Sequence, residues 1–319
     1  MNSRFVVASV SAFLCFASVG AFRLGAAESG EWVQPVIRSI VTGLEFTEGP
    51  VWDPASDSLI FSDIKLNKEF LWSEADGLSV FREPSNQANG HAFDSEGRLL
   101  TCERGLHRLT RREHDGSYTV LADSFEGIRF NETNDVVARS DGNIYFTDPN
   151  YGRPEGRERQ FVYRIDPSGT LSKLLPDSYN KPNGIGLSPD EKTLYVNIGS
   201  DHMTLAWDLD ASGDIAGGPH RIADGLDRGT AGMTVHPETG DLFIAVYWNN
   251  RRKPDEQGIN VFSPKGRYKG VIPIPGTTTN CTFEPSGDHL YVTSGGSVFE
   301  VFLGEDYAGQ KIGQVVNAD

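Results

Sequence analysis

Cysteine is close to absent from this sequence, with three in 319 residues, at positions 15, 102 and 281. That spacing excludes a Cys-x-x-Cys metal site. Cys102 and Cys281 are expected as buried free thiols on inner strands, since a bond would need those strands to approach closely. Basic residues are scarce too: 29 Lys and Arg stand against 44 Asp and Glu, a formal charge of −15. Such a surface repels phosphates, and no basic stripe with interleaved aromatics offsets it, so nucleic acid is excluded as a partner. The nearest basic cluster, WNNRRKPDE at 248 to 256, runs at once into acids and reads as a solvated loop tip. The seven histidines show neither His-Glu-x-x-His nor paired spacing, and no serine sits in a nucleophile elbow.

Long apolar runs are missing as well, with one exception. Arg4 is followed by an apolar run from Phe5 to Phe22, broken by serines and a glycine, then by small residues ending at Ala26 and Ala27. This is the pattern of a secretory leader. A membrane anchor is the alternative, at the lower edge of a spanning length. Cys15 lacks the small preceding residue that lipidation requires. Cleavage after Ala27 removes Arg4 and Arg23 and no acids, leaving −17. The expectation is a periplasmic or secreted protein, free of the membrane after processing, with one domain from 28 to 319.

What the chain does have is a repeat. EGPVWDPASDSLIFSDI starts at Glu48, NGHAFDSEGRLLTCE at Asn89, NDVVARSDGNIYFTDP at Asn134, NGIGLSPDEKTLYVNI at Asn183, AGMTVHPETGDLFIAV at Ala231 and NCTFEPSGDHLYVTSG at Asn280. Each is a hairpin: two apolar stretches split by a turn. Their first residues are 41, 45, 49, 48 and 49 positions apart, the period of a four-stranded propeller blade. Two further short strands follow most hairpins, such as HRLTRR with YTVLAD and FVYRID with LSKLL. The predicted fold is therefore all-β, a six-bladed β-propeller. The last unit has only SVFEVFL, so QPVIRSIV near the start is expected to close the ring, with KIGQVV as the competing candidate.

In a propeller the innermost strand of every blade begins at one face, so the first hairpin residues ring the mouth of the central channel. That ring reads Glu48, Asn89, Asn134, Asn183, Ala231, Asn280. Oxygen donors converging on an axis suit a hard cation, calcium first, with magnesium, manganese or zinc as alternatives. Asn is also frequent at such positions because it tolerates left-handed backbone and bonds its own neighbours. The second strands return to the same face, so Asp63, Glu103, Asp148, Tyr151, Asp201, His202 and Tyr247 can form an outer ring. Asn131 and Asn280 match glycosylation acceptors, but such short matches arise by chance.

With these residues in view, the sequence resembles the senescence marker protein, regucalcin and gluconolactonase family of six-bladed propellers. The likeness spans LEFTEGPVWD, ANGHAFDSEGRLLTCE, NETNDVVARSDGNIYFTDPNYG, KPNGIGLSPDEKTLYV and TTNCTFEPSGDHLYVTS. It implies a metal-dependent lactonase in which a divalent cation at the channel mouth is held by Glu48, Asn134 and Asn183. Asn89, Asn134, Asp148, Tyr151 and Asn280 are the candidates for contact with a sugar lactone or related ester.

One departure matters. Where the family shows an Asp that ligates the metal and acts as base, this chain has Ala231, in TAGM. A replacement from the outer ring would come from Asp201, His202 or Glu103. The alternatives are weaker cation binding through three protein ligands plus water, or a non-catalytic propeller that binds sugar or calcium.

Overall fold

Aspartate at the hairpin turns sets the local structure. Asp53, Asp94, Asp166 and Asp210 each accept the amide of the residue two positions on, closing Asx turns at 2.9 to 3.0 Å. Gly97, Gly169 and Gly213 complete three of these turns in left-handed backbone at φ 75°, 85° and 84°. Between such turns the apolar and β-branched runs pair as antiparallel ladders.

The computed structural model describes residues 32–152, 160–175, 179–223, 226, 229–246, 257–305 and 307–317. The expected leader, residues 1–27, the basic loop at 248 to 256 and Tyr247 lie outside them. Among the described residues there is no helix.

Blade 1 consists of Thr47–Asp53, Ser58–Asp63, Lys68–Ser73 and Gly77–Arg82. Blade 2 follows with Ala88–Phe93, Leu99–Glu103, Arg108–Arg112 and Tyr118–Ala122. Blade 3 is Val136–Ala138, Ile144–Asp148, Phe161–Ile165 and Leu171–Lys173, and blade 4 is Pro182–Leu187, Thr193–Ile198, Met203–Leu209 and Ile215–Ala223. Blade 5 is Thr230–Val235, Leu242–Val246, Gly258–Phe262 and Tyr268–Ile272. Blade 6 has Thr278–Phe283, His289–Ser294 and Ser297–Phe302, and takes its fourth strand from the other end of the chain. The six innermost strands touch in succession round a closed circuit, blade 6 against blade 1. The six-bladed propeller expected from the repeat is the fold.

Both candidates for ring closure are used. Val36–Val41 pairs antiparallel with Ser297–Phe302, and Val316–Asn317 adds parallel to its outer edge. Lys311–Ile312 pairs in parallel with Trp32–Val33. Joining the two chain ends in one blade leaves neither edge of the ring open.

Burial grades outward. The second strands of blades 1, 2, 3 and 5 are buried along their whole length, while Gly77–Arg82 on the outside of blade 1 has no buried residue. Apolar clusters join blades 2 and 3, 3 and 4, 4 and 5, 5 and 6, and 6 and 1. The contact between blades 1 and 2 is built from charge instead. Arg82 bridges buried Glu69 and buried Glu103, and Arg108 holds the second oxygen of Glu103 at 2.6 Å. Paired carboxylates and guanidinium groups tolerate that burial, but removing one partner leaves an uncompensated charge. Cys102 and Cys281 are buried and free, Cys281 on an innermost strand but Cys102 on the second strand of blade 2.

Candidate active site

The innermost strands do not begin as regular ladders. Their pairing shifts register between Glu48 and Val51, Ala88 and His91, Pro182 and Ile185, Thr230 and Met233, and Thr278 and Asn280. Bulges of this kind re-aim side chains, and here they sit where the predicted ring lies. Crowding dictates small residues at the next position. A Cβ on Gly232 would lie 1.9 Å from Asn280 Cγ, and one on Gly49, at φ 50°, would lie 1.9 Å from the Asn89 carbonyl oxygen.

Side chains of the second strands pin the ring. Ser62 Oγ donates to the Asn89 carbonyl at 2.5 Å, Thr147 Oγ1 to that of Asn183 at 2.8 Å and Asn197 Nδ2 to that of Ala231 at 2.8 Å. Each bond crosses from one blade to the next, so ring positions are fixed by neighbouring blades as well as by their own strand.

The mouth is a cavity of about 440 Å³ lined by Glu48, Asn89, Asn134, Asn183, Ala231 and Tyr151, with Lys65 and Arg104. Asn183 Nδ2 donates to Tyr151 Oη at 2.6 Å, which leaves its carboxamide oxygen as the group available to a ligand. Glu48 is 8 % exposed and accepts the Gly49 amide at 3.0 Å. Burial pushes its carboxyl up to about 8, partly opposed by that bond, and the charge of Asp135 adds to the rise.

Asp135 is the residue the sequence reading missed. Burial raises its carboxyl to about 7 against bonds from the Val136 amide and Asn280. Asn280 Nδ2 lies 3.3 Å from Asp135 Oδ2, and the Cys281 amide holds Asn280 Oδ1 at 2.8 Å. Asp135 and Asn280 line a second cavity of about 380 Å³ further along the channel, together with His91. His91 Nδ1 meets the Gly49 carbonyl at 2.6 Å and Nε2 meets Glu69 Oε1 at 3.3 Å. A signal for Asp135 was present: the residue after each ring position reads Gly49, Gly90, Asp135, Gly184, Gly232, Cys281, an acid in a column of small residues.

The remaining predicted residues lie elsewhere. Asp148 is wholly buried, accepting the Asn131 amide at 3.0 Å and the Glu132 amide at 2.9 Å, so it braces the loop before blade 3 rather than lining the mouth. Asp63 does the same for Glu45 and Phe46. Asn280 lines the inner cavity, and its carboxamide bonds both Asp135 there and Glu48 at the mouth. Glu103 belongs to the ion network between blades 1 and 2. Asp201 and His202 sit in the turn after Thr193–Ile198, where Asp201 is exposed and His202 adopts φ 53°, and neither lines the mouth. Asn131 and Asn280 are both buried, so neither glycosylation match is presented by the folded chain.

Among the described residues no three or more His, Cys, Asp and Glu side chains are grouped to hold a metal. The donor set at the mouth is one carboxylate with the carboxamides of Asn89, Asn134 and Asn183. The Arg104 guanidinium only partly offsets the burial of the Glu48 carboxylate, and the neutral oxygen donors beside it fit a hard cation whose remaining positions are filled by water.

Comparison with known proteins converges on one family. A model described as the SMP-30/Gluconolactonase/LRE-like region matches residues 46–296. A gluconolactonase of Zymomonas mobilis is 29 % identical over 301 residues, covering 84 % of this chain and 82 % of the relative. The structure of a gluconolactonase from Xanthomonas campestris superposes with a TM-score of 0.75 at 29 % identity, over 84 % of this chain and 89 % of the other. The pentonolactonase XacC of Haloferax volcanii is 24 % identical over 280 residues, covering 85 % and 88 %.

Proposed function

The chain belongs to the SMP-30/gluconolactonase/LRE-like family, and on that footing we propose that it hydrolyses a sugar lactone at the mouth of its channel. The observation that carries the reading is Glu48: a buried carboxyl raised to about 8 among converging carboxamides. Glu48, Asn134 and Asn183 would hold one divalent cation, calcium by the hardness of the oxygen donors. Such a cation supplies Lewis acidity toward the lactone carbonyl. The chain's own side chains orient the substrate. Asn89 and the Tyr151 hydroxyl would bond sugar hydroxyls, with Phe46 and Ile64 lining the same cavity.

Proton removal is where this chain differs. Ala231 leaves Glu48 as the one carboxylate lining the mouth among the described residues. The attacking water then gives its proton to Glu48 or to solvent, which predicts slower turnover than an acid at position 231 would allow. Ala231 also motivates the second reading, a propeller that binds a sugar without turning it over. The apolar leader adds export to the periplasm or beyond.

The test is hydrolysis of a panel of aldonolactones by protein stripped with chelator and resupplied with calcium. Activity that disappears and returns supports a cation-dependent lactonase. Cation binding without turnover of any lactone favours the binding protein.

A further inference from the structure

The mouth carries positive charge that a bound cation does not explain and that Glu132 and Glu48 answer only in part. The chain as a whole is at −15, yet the charged side chains lining the mouth, beyond Glu48, are Lys65 and Arg104. They follow the second strands of blades 1 and 2, which puts Arg104 across the ring from Ala231 of blade 5. Among the described residues the Lys65 ammonium meets no carboxylate; the Phe46 ring lies 5.7 Å from it. Arg104 gives Nε to buried Glu132 at 2.7 Å and is 27 % exposed, with no other side-chain bond among the described residues. A third ammonium, that of Lys181, lies 5.5 Å over the Tyr151 ring.

A divalent cation at Glu48 is repelled by these groups, so cation binding selects against them. An anion in the same cavity is attracted by them, and a guanidinium with free terminal nitrogens matches a carboxylate or phosphate in two-pronged geometry. Resting on the lactonase reading, we propose that the substrate is a sugar lactone that carries an anionic group remote from its carbonyl, received by Arg104 and Lys65. Hydrolysis adds the water oxygen to the carbonyl carbon and breaks the ring carbon–oxygen bond. The ring oxygen leaves as a hydroxyl with one proton, and the new carboxyl group ionises, so the product bears one more negative charge than the substrate.

The experiment compares three lactones of one ring size: a neutral aldonolactone, the aldarolactone with a terminal carboxylate, and the phosphorylated aldonolactone. One of the two anionic substrates is expected to exceed the neutral one in kcat/KM by at least about tenfold, a preference that shrinks as salt screens the rim. Which of the two it is identifies the anion. Lys65→Gln, an exposed change, and Arg104→Lys, which keeps a charge for Glu132, are each expected to lower the anionic-to-neutral ratio. Equal kcat/KM for all three lactones overturns the inference while leaving the lactonase intact. If no lactone is turned over, the lactonase reading fails, and calorimetric titration with the open-chain aldarate and with a sugar phosphate still decides this one. Binding that weakens in Lys65→Gln upholds it, and no binding of either anion overturns it.

Discussion

Asn280 of blade 6 donates its amide to Asp135 of blade 3 across 3.3 Å, joining opposite blades through the middle of the ring. Both residues line the inner cavity, and Asn280 also bonds Glu48 on the mouth side. The charge of Asp135 on the inner side adds to the raised proton affinity of Glu48 on the mouth side, and the Asn280 carboxamide bonds both acids.

That pairing makes the cation-free protein sensitive to pH. Glu48 rises from 4.5 to about 8 and Asp135 from 3.8 to about 7. A raised acid pKa means the folded state holds more protons than the unfolded chain throughout that window, so stability falls as pH rises through it. Chelator-treated protein should therefore melt lower at about pH 8.5 than at about pH 5.5, and Glu48→Gln with Asp135→Asn should flatten the difference. Melting curves whose pH slope is unchanged in the double variant would remove these two groups as its source.

Cation affinity should depend on Glu48 more than on Asn280. Glu48→Gln is expected to weaken calcium binding by at least about tenfold, the scale on which even outer-shell partners act, and Asn280→Ala by less. Calorimetric titration giving equal losses would take Glu48 out of its assigned role.

Ala231→Asp should tighten the cation and speed turnover, because the Ala231 side chain lines the mouth and a carboxylate there adds both charge and a base. Unchanged binding and rate would mean that the new side chain does not reach the axis.

Gly232→Ala should destabilise the fold by about 1–3 kcal/mol, since the added carbon collides with Asn280 and the neighbouring blade must shift. Denaturant unfolding with an unaltered midpoint would show that the bulge relaxes freely.

The blade count, the hairpin positions and the mouth residues Glu48, Asn89, Asn134, Asn183 and Ala231 were legible in the sequence alone. Each is a local pattern: an alternating run, an Asp–Gly turn and a repeat close to the length of one blade, all set by residues a few positions apart. Even the closure by Val36–Val41 was legible, because the last blade lacked a strand and the chain start supplied one. Tertiary structure decided the rest. Whether Asp148 faces a ligand or the amides of Asn131 and Glu132 depends on how the loop before blade 3 folds over it. Glu103 was drawn away from the mouth by Arg82 and Arg108 on two different strands. Asp135 meets Asn280 at a sequence separation of 145 residues. Periodicity says which face of a strand is inward, but only closure of the whole ring says which inward side chains meet on the axis and how much water is left between them.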